Sequence, residues 1–467
     1  MASPIRQLLA LITQSVETLE AACKYSGMAI PSLDEPFTPL SEEFRANPEA
    51  AEAARIISAA ALQLEAIVSP PQVSLYRIVN GYLKSSALRV CLEAGVTEIL
   101  REAGPQGIHV QEMALKNGQD PQRMARFMRF LATHHIYREI APDVFAHNRI
   151  SSILDTGKSS AAILADPSQK HDGTNGFAAL ISHQLDLGFK AAAYSWEHLS
   201  DPTTMNSGEP DTSAFARAIG SQETLWTYLA RPEERFRQQR FSIAMKGTQE
   251  MHRPESVVQA FNWSKFAPDS LIVDVGGGVG SACLALAPRF PQFRFVIQDR
   301  EEVVAQGKEL WKIKMPEAIY SGQVTFQVHN FFDPQPQHDA TVFLVKNVLH
   351  DWSTDHCVKI LSRLAAVANH DTTLILLEMV LPLATSERNS DNKMLEAPSP
   401  LLANYGATND LGYNFDFLMF LEFNAQERTQ KEFRELLGLS GWEFVAMHWQ
   451  TGGDTSNIHY IEARKPV

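Results

Sequence analysis

Cysteine is scarce in this chain of 467 residues: only Cys23, Cys91, Cys283 and Cys357. They are widely scattered, with no C-x-x-C pair and no histidine cluster at ligand spacing. Neither a disulfide framework nor a metal site is therefore expected. Positive charge is in deficit, with 41 Lys and Arg against 54 Asp and Glu, a formal net charge of −13. That lacks the basic footprint a nucleic-acid or anionic-membrane surface requires. Long apolar runs are missing too. Nothing approaches the roughly 20 residues of a membrane span, and the first residues lack the basic-then-apolar layout of a secretory leader. The expectation is a cytoplasmic protein with a small-molecule ligand and neither nucleic acid nor membrane as partner.

What is present is an ordinary globular composition, 45% hydrophobic and 20% charged, in a chain too long for one average core. Residues 1–70 read as a helical extension and linker. Leu8, Leu9, Leu11, Ile12, Val16 and Leu19 form an apolar stripe, and Pro31, Pro36, Pro39 and Pro48 punctuate the linker after it. Residues 71–170 alternate short helices and end in a segment, Val144 to Ile150, that looks like a two-stranded wing. Helices followed by a wing make a winged-helix shape often used on DNA. With no basic arm in an acidic chain, homodimerisation is the better reading. His134 and His135 fall at a helix end, where a capping or core role outweighs a catalytic one.

Residues 171–467 read as a ligand-binding catalytic domain whose first stretch, 171–265, is helical and aromatic: Phe177, Phe189, Tyr194, Trp196, Phe215, Trp226, Tyr228, Phe236 and Phe241. Such a stripe is usually core, but part of it, with Met245 and Met251, is placed to wall a substrate pocket. From Leu271 the rhythm becomes strand–helix, with strands expected at 271–275, 293–298, 324–328, 341–345 and 373–380 and a closing pair at 442–448 and 458–463. That is an α/β, Rossmann-like, doubly wound sheet.

The domain turns on Leu271-Ile-Val-Asp-Val-Gly-Gly-Gly-Val-Gly-Ser281. A buried strand that turns tightly into a helix presents backbone N–H groups and the positive end of the helix dipole to a small ligand. The dinucleotide pattern G-x-G-x-x-G is not met. Gly276, Gly278 and Gly280 follow Asp274, and Ser281 stands where the third glycine belongs. About twenty residues on, a second strand ends in Asp299, the usual partner of ribose hydroxyls. The shifted glycines suit S-adenosyl-L-methionine (SAM) better than a dinucleotide, since SAM has no pyrophosphate to cradle.

After the fourth strand comes Lys346-Asn-Val-Leu-His350-Asp351-Trp352. A histidine at the carboxyl edge of the sheet is placed to meet a cofactor, and its ordinary pKa of about 6.5 suits proton removal near neutrality. Glu378 follows the fifth strand, and Glu427 stands in Asn424-Ala-Gln-Glu427-Arg428-Thr429. Two carboxylates flanking one imidazole would fix its tautomer and stabilise its charged form. Taken alone, Glu427 is equally an acid favoured by a helix dipole.

Together Asp-Val-Gly-Gly-Gly-x-Gly, Asp299, His-Asp-Trp and Glu-Arg-Thr resemble the plant- and fungal-type small-molecule O-methyltransferases, over roughly residues 70–465. The resemblance implies a class I SAM-dependent enzyme with a winged-helix dimerisation domain. It implies that Gly276, Gly278 and Gly280 line the methionine end of SAM, that Asp299 holds the ribose and that Lys346 touches the cofactor. It also makes His350 the general base, flanked by Glu378 and Glu427. Where the family usually has an acid and an aromatic pair at the adenine, this chain has Asn330-Phe331-Phe332. Some fungal relatives of this fold are pericyclases instead, so O-methylation of a secondary metabolite stands beside pericyclic chemistry, in which His350 and Lys346 would donate hydrogen bonds.

Overall fold

The computed structural model describes residues 3–251, 256–259, 261–386, 396–448 and 458–466. The chain divides into two compact units. One comprises Met1–Ala193, Trp226–Met251 and Ala384–Asn409, and the other Tyr194–Leu225, His252–Leu383 and Asp410–Val467.

The first unit is mainly helical. Ser3 caps the helix Pro4–Ser26, which ends on Gly27 in the left-handed region, and Asn47 caps Pro48–Val68. Alanines on the second helix allow close approach: Leu8 packs with Ala59, Ala60, Leu401 and Tyr405. The helices Pro71–Val79 and Gly81–Glu93 come next. A separate core of Cys91, Val96, Ile99, Met113, Met128, Leu131, Tyr137 and Phe145 is closed by a small sheet. Its strands are β1 (Ile108–His109), β2 (Arg138–Ala141) and β3 (Val144–Ala146), in the order β1-β3-β2.

The wing thus has three strands and is over by Ala146. Arg149–Ser152 is a helical turn, because the Asn148 and Ser151 side chains each take the other's backbone N–H in a capping box. His134 caps the helix Pro121–Thr133, as the sequence suggests. Met245 packs with Ala179, Leu180 and Ala244 inside this unit, and the Met251 side chain lies outside the described residues.

In the second unit the short apolar runs become strands, buried on both faces at the centre of the sheet, as a parallel sheet covered by helices requires, and part-exposed at its edges. They are β4 (Leu271–Val275), β5 (Arg294–Asp299), β6 (Val324–Val328), β7 (Val342–Lys346), β8 (Thr373–Leu381), β9 (Arg428–Thr429), β10 (Glu443–His448) and β11 (Ile458–Arg464). The order is β10-β11-β8-β7-β4-β5-β6, with β9 beside the end of β8. β4 to β8 are parallel, and β11 lies antiparallel between β8 and β10.

Alternate residues feed two cores. Val273, Val275, Phe343, Val345 and Leu376 face one, whereas Ile272, Ile297, Leu344, Ile375 and Leu377 face the other. Strand order reverses at β4, so a crevice opens outside the carboxyl ends of β4, β5 and β7, the place for a ligand in such sheets. Among the described residues no helix is long and apolar enough to cross a membrane.

Candidate active site

Beyond β4 the chain bends through Gly276, Gly278 and Gly280, all at positive φ. Two of these glycines face very different surroundings. A Cβ on Gly280 would lie 2.5 Å from Ile297 and 2.8 Å from Trp311, so this glycine exists to let the loop close on the sheet. Among the described residues, a Cβ on Gly278 would meet nothing within 4 Å. Its N–H instead donates to Asp299 Oδ2 at 2.8 Å, bringing the acid at the end of β5 to the loop.

Asp274 is buried beneath Gly277. One of its oxygens accepts from the Cys283 thiol at 3.3 Å, and the other has no partner among the described residues. Burial raises this carboxyl to about 6. An open edge at Gly278, an unspent buried carboxylate oxygen and an acid at the loop fit a ligand bearing an ammonium and hydroxyl groups, as SAM does.

Phe331 lies over the same loop, 3.5 Å from where a Cβ on Gly276 would stand, and packs edge-on against Phe332 and Trp352. Asn330 is exposed, and its side-chain Oδ1 is engaged by its own turn, accepting from Phe332 N–H at 3.1 Å. Lys346, at the carboxyl end of β7, has its pKa lowered by burial, against the pull of Asp274 and Glu378.

His350 stands on the one-turn helix Leu349–Asp351. Its Nδ1 is 2.9 Å from Glu427 Oε1, and its Nε2 is 3.6 Å from Asp351 Oδ1. The imidazole keeps 24% of its surface, whereas the Glu427 side chain keeps 2%. Glu427 precedes its helix rather than starting it. Thr429 caps Gln430–Leu439 through a capping box with Glu432, so Glu427 is not a helix-dipole acid. Asp416 accepts from the Glu427 N–H at 2.9 Å. Glu378 makes no hydrogen bond to the imidazole: its Oε1 accepts from the N–H groups of Val348 and Leu349 at 3.0 and 2.9 Å. It braces the turn from behind.

Burial works against a charged imidazole here, but Asp351, Glu427 and Glu378 outweigh it and raise His350 to about 10. Burial raises Glu378 to about 7. The carboxylates around the imidazole thus favour its charged form, and at neutral pH the ring holds its proton.

Of the residues singled out in the sequence, His350 and Glu427 meet directly, and Glu378 meets the turn that carries His350. Asp274, Asp299, Gly276, Gly278, Gly280, Phe331 and Lys346 gather at the carboxyl edge of β4, β5 and β7, with Asn330 turned to its own loop. Sequence reasoning passed over Arg428 and Cys357. Arg428 is 1% exposed and donates to the carbonyls of Leu349 and Trp352, both at 2.9 Å. The signal available was a charged residue directly after Glu427; that it lies in a strand buried beside β8 was not legible.

Comparison with known proteins places this chain in a family. A model of the O-methyltransferase domain matches residues 196–443, and one of the O-methyltransferase dimerisation domain matches residues 76–157. A protein named 4-O-methyltransferase 1 from Phanerochaete chrysosporium is 47% identical, over 99% of each chain. The solved structure of the mitomycin 7-O-methyltransferase shares the fold, with a TM-score of 0.61 and 24% identity over 85% of this chain and 98% of that one. So does a structure titled a pericyclic reaction enzyme, with a TM-score of 0.64 and 16% identity over 89% and 94%. At such identities the two likenesses speak for the fold alone. The relative at 47% identity and the matched domains decide the class: this chain belongs to the SAM-dependent O-methyltransferases, enzymes with a helical dimerisation region ahead of a mixed-sheet methyltransferase domain.

Proposed function

We propose that the chain methylates a phenolic hydroxyl of a small aromatic secondary metabolite, with His350 opposite the reacting oxygen. The observation that carries this is the His350–Glu427 contact at 2.9 Å, which fixes a ring that keeps 24% of its surface open. SAM, when bound, supplies the methyl on a sulfonium. The chain's part is to hold the acceptor oxygen in line with that methyl and to keep its proton away. Near-attack positioning supplies most of the acceleration, and proton removal adds about 10²–10⁴-fold.

The helix Leu411–Phe423 supports an aromatic acceptor. It reads Leu-Gly-Tyr-Asn-Phe-Asp-Phe-Leu-Met-Phe-Leu-Glu-Phe, apolar on nearly every side, and it carries Asp416, the partner of Glu427. Phe417 is 65% exposed on this helix, an unspent aromatic face on the element that braces the base. Asp274, Gly276, Gly278, Gly280, Asp299, Asn330, Phe331 and Lys346 are the residues assigned to SAM, with Asn330 contributing through the turn that aims Phe331.

One observation favours a second reading. An imidazole that rests protonated is a hydrogen-bond donor, as is Lys346, and two donors could polarise a carbonyl in a pericyclic reaction. Mass spectrometry on candidate phenols with SAM separates the two: a product heavier by one methyl supports transfer, an isomer of unchanged mass the other chemistry. The His350→Gln variant sharpens the test. Loss of about 10²–10⁴ in kcat is expected for proton removal, whereas an amide that still donates would retain most of a polarising role.

A further inference from the structure

The backbone that carries His350 is held from both sides by groups outside it. On the amide side, Glu378 Oε1 takes the N–H groups of Val348 and Leu349. On the carbonyl side, Arg428 Nη1 donates to Leu349 O and Nη2 to Trp352 O, each at 2.9 Å, and Nη1 also reaches Gln426 O at 3.2 Å. The Cys357 thiol lies 3.2 and 3.4 Å from the same two carbonyl oxygens, Leu349 and Trp352. Burial pushes that thiol up to about 12, so it stays protonated and remains a donor. Leu349 and Trp352 bracket His350 and Asp351 in the chain, so these contacts fix both ends of the segment that presents the ring.

A guanidinium is a rigid planar fork, and its two donating nitrogens set the separation of the carbonyls they hold. An ammonium or an apolar side chain cannot impose that separation. A buried cation whose contacts are backbone carbonyls and a thiol is also an expensive way to fill a core, where an apolar residue of similar volume serves at least as well. Arg428 follows Glu427 directly, so one segment grips both the imidazole and the backbone beneath it.

We propose that Arg428, assisted by Cys357, is a positioning residue for methyl transfer: its fork sets the height and tilt of the His350 turn. This rests on the reading of His350 as the group opposite the acceptor hydroxyl. Arg428 need not touch substrate or cofactor. Its effect passes through the turn, and a displacement of about 1 Å there is enough to cost about 10²-fold in rate.

The test compares Arg428→Lys, which keeps the charge and loses the fork, with His350→Gln and Cys357→Ala in the full-length protein. Steady-state kinetics, the pH–rate profile, calorimetric affinity for S-adenosylhomocysteine and thermal unfolding are recorded for each. For Arg428→Lys we expect kcat to fall about 10²-fold. KM for the acceptor and affinity for S-adenosylhomocysteine should stay near wild type, the pattern of an interaction used in the transition state alone.

The pH profile should move as well. The ring's distances to Asp351 in its own turn, Glu427 ahead of β9 and Glu378 on β8 would all change, and Glu422 acts on the same group through Asp351. Cys357→Ala removes one donor from the same carbonyls and should lower kcat up to about tenfold with KM unchanged, the scale of a single hydrogen bond. It decides the matter if the Arg428 variant does not fold. A folded Arg428→Lys enzyme with wild-type kcat and pH profile would overturn the proposal, as would a fall in melting temperature alone. If His350→Gln keeps its rate, the proton-removal reading itself falls, whatever Arg428 does.

Discussion

At the scale of single residues the governing quantity is where one proton sits. From the sequence the rate is expected to rise through about 6.5, the ordinary histidine value. The neighbouring carboxylates instead hold His350 near 10. A raised imidazole pKa stabilises the fold below the unfolded value of about 6.5, and that contribution is lost as pH rises through the folded one. The rising limb of kcat/KM should therefore lie in the alkaline range and belong to the cluster as a whole. Replacing Glu427 with Gln removes a carboxylate 2.9 Å from the ring. The limb should shift to lower pH, and kcat should fall as the ring loses its orientation; an unmoved limb would separate Glu427 from the titration. A second consequence concerns binding. With the ring already protonated at neutral pH, a phenol that docks as phenolate must release its own proton to solvent. Calorimetric titrations of the enzyme loaded with S-adenosylhomocysteine, which has no methyl to transfer, in buffers of different ionisation enthalpy should then show about one proton released per acceptor bound. A neutral resting histidine would take that proton and release none.

The glycine loop supports a contrast between two residues of one type. Gly278 sits at φ 59° beside open space, so leucine there would bear some backbone strain and fill the crevice rather than the core. The melting temperature should fall by a few degrees, while affinity for SAM, read by calorimetry, is lost. Gly280→Ala drives a methyl to 2.5 Å from Ile297 and 2.8 Å from the Trp311 indole. Here the fold should suffer first, by the 1–3 kcal/mol or so typical of overpacking. Equal SAM affinity in wild type and Gly278→Leu would remove the loop from the cofactor site.

At the scale of elements, β4 to β8 begin and end within one residue of where apolar runs put them; β4, β5, β7 and β8 are buried on both faces, and such a strand writes itself as a short apolar block. The closing pair, β10 and β11, was equally legible. β9 was not: Arg428–Thr429 is two residues long, and only its neighbour β8 makes it a strand. The candidate site divides the same way. Histidine, acids and glycines at strand ends announced themselves, but Glu378 was read as a partner of the ring when its bonds go to backbone. No residue pattern encodes a side chain's reach to a main-chain N–H. The largest unannounced feature lies in the helical unit. Asp186, on the π-helical turn Gln184–Gly188, accepts from Arg89, Lys190, Arg237 and Arg240 at 2.7–2.9 Å and is buried. Burial opposes its ionisation, but Arg237, Lys190 and Arg240 hold the carboxyl far below the usual range. Its stabilisation is present above an unfolded value of about 3.9 and is lost as pH falls. Asp186→Asn leaves Arg240, 2% exposed, facing an amide. We expect a loss of about 3–5 kcal/mol in denaturant titrations at neutral pH, shrinking toward acid. A loss below about 1 kcal/mol would make the node ornamental.

For the whole molecule the open question is what covers the helix Pro71–Val79. It has no buried residue, and Leu75, Tyr76, Ile78 and Val79 are between 60% and 75% exposed. A run of apolar side chains this open is an interface waiting for a partner. The matched dimerisation region begins on the same helix, at residue 76, so a second copy of the chain is the occupant we propose. An isologous interface repeats every residue twice, so a single substitution strikes both halves. Ile78→Asp, a charge on a side chain that is 75% exposed, should leave the monomer fold intact while splitting the dimer. Light scattering at micromolar concentration should give about 104 kDa for the wild type, twice the 52.0 kDa of one chain, and half that mass for the variant. The wild-type melting temperature should rise with protein concentration, as it must when association stabilises the folded state, and that dependence should vanish in Ile78→Asp. A wild type that scatters as a single chain across that range would leave the helix without its proposed partner.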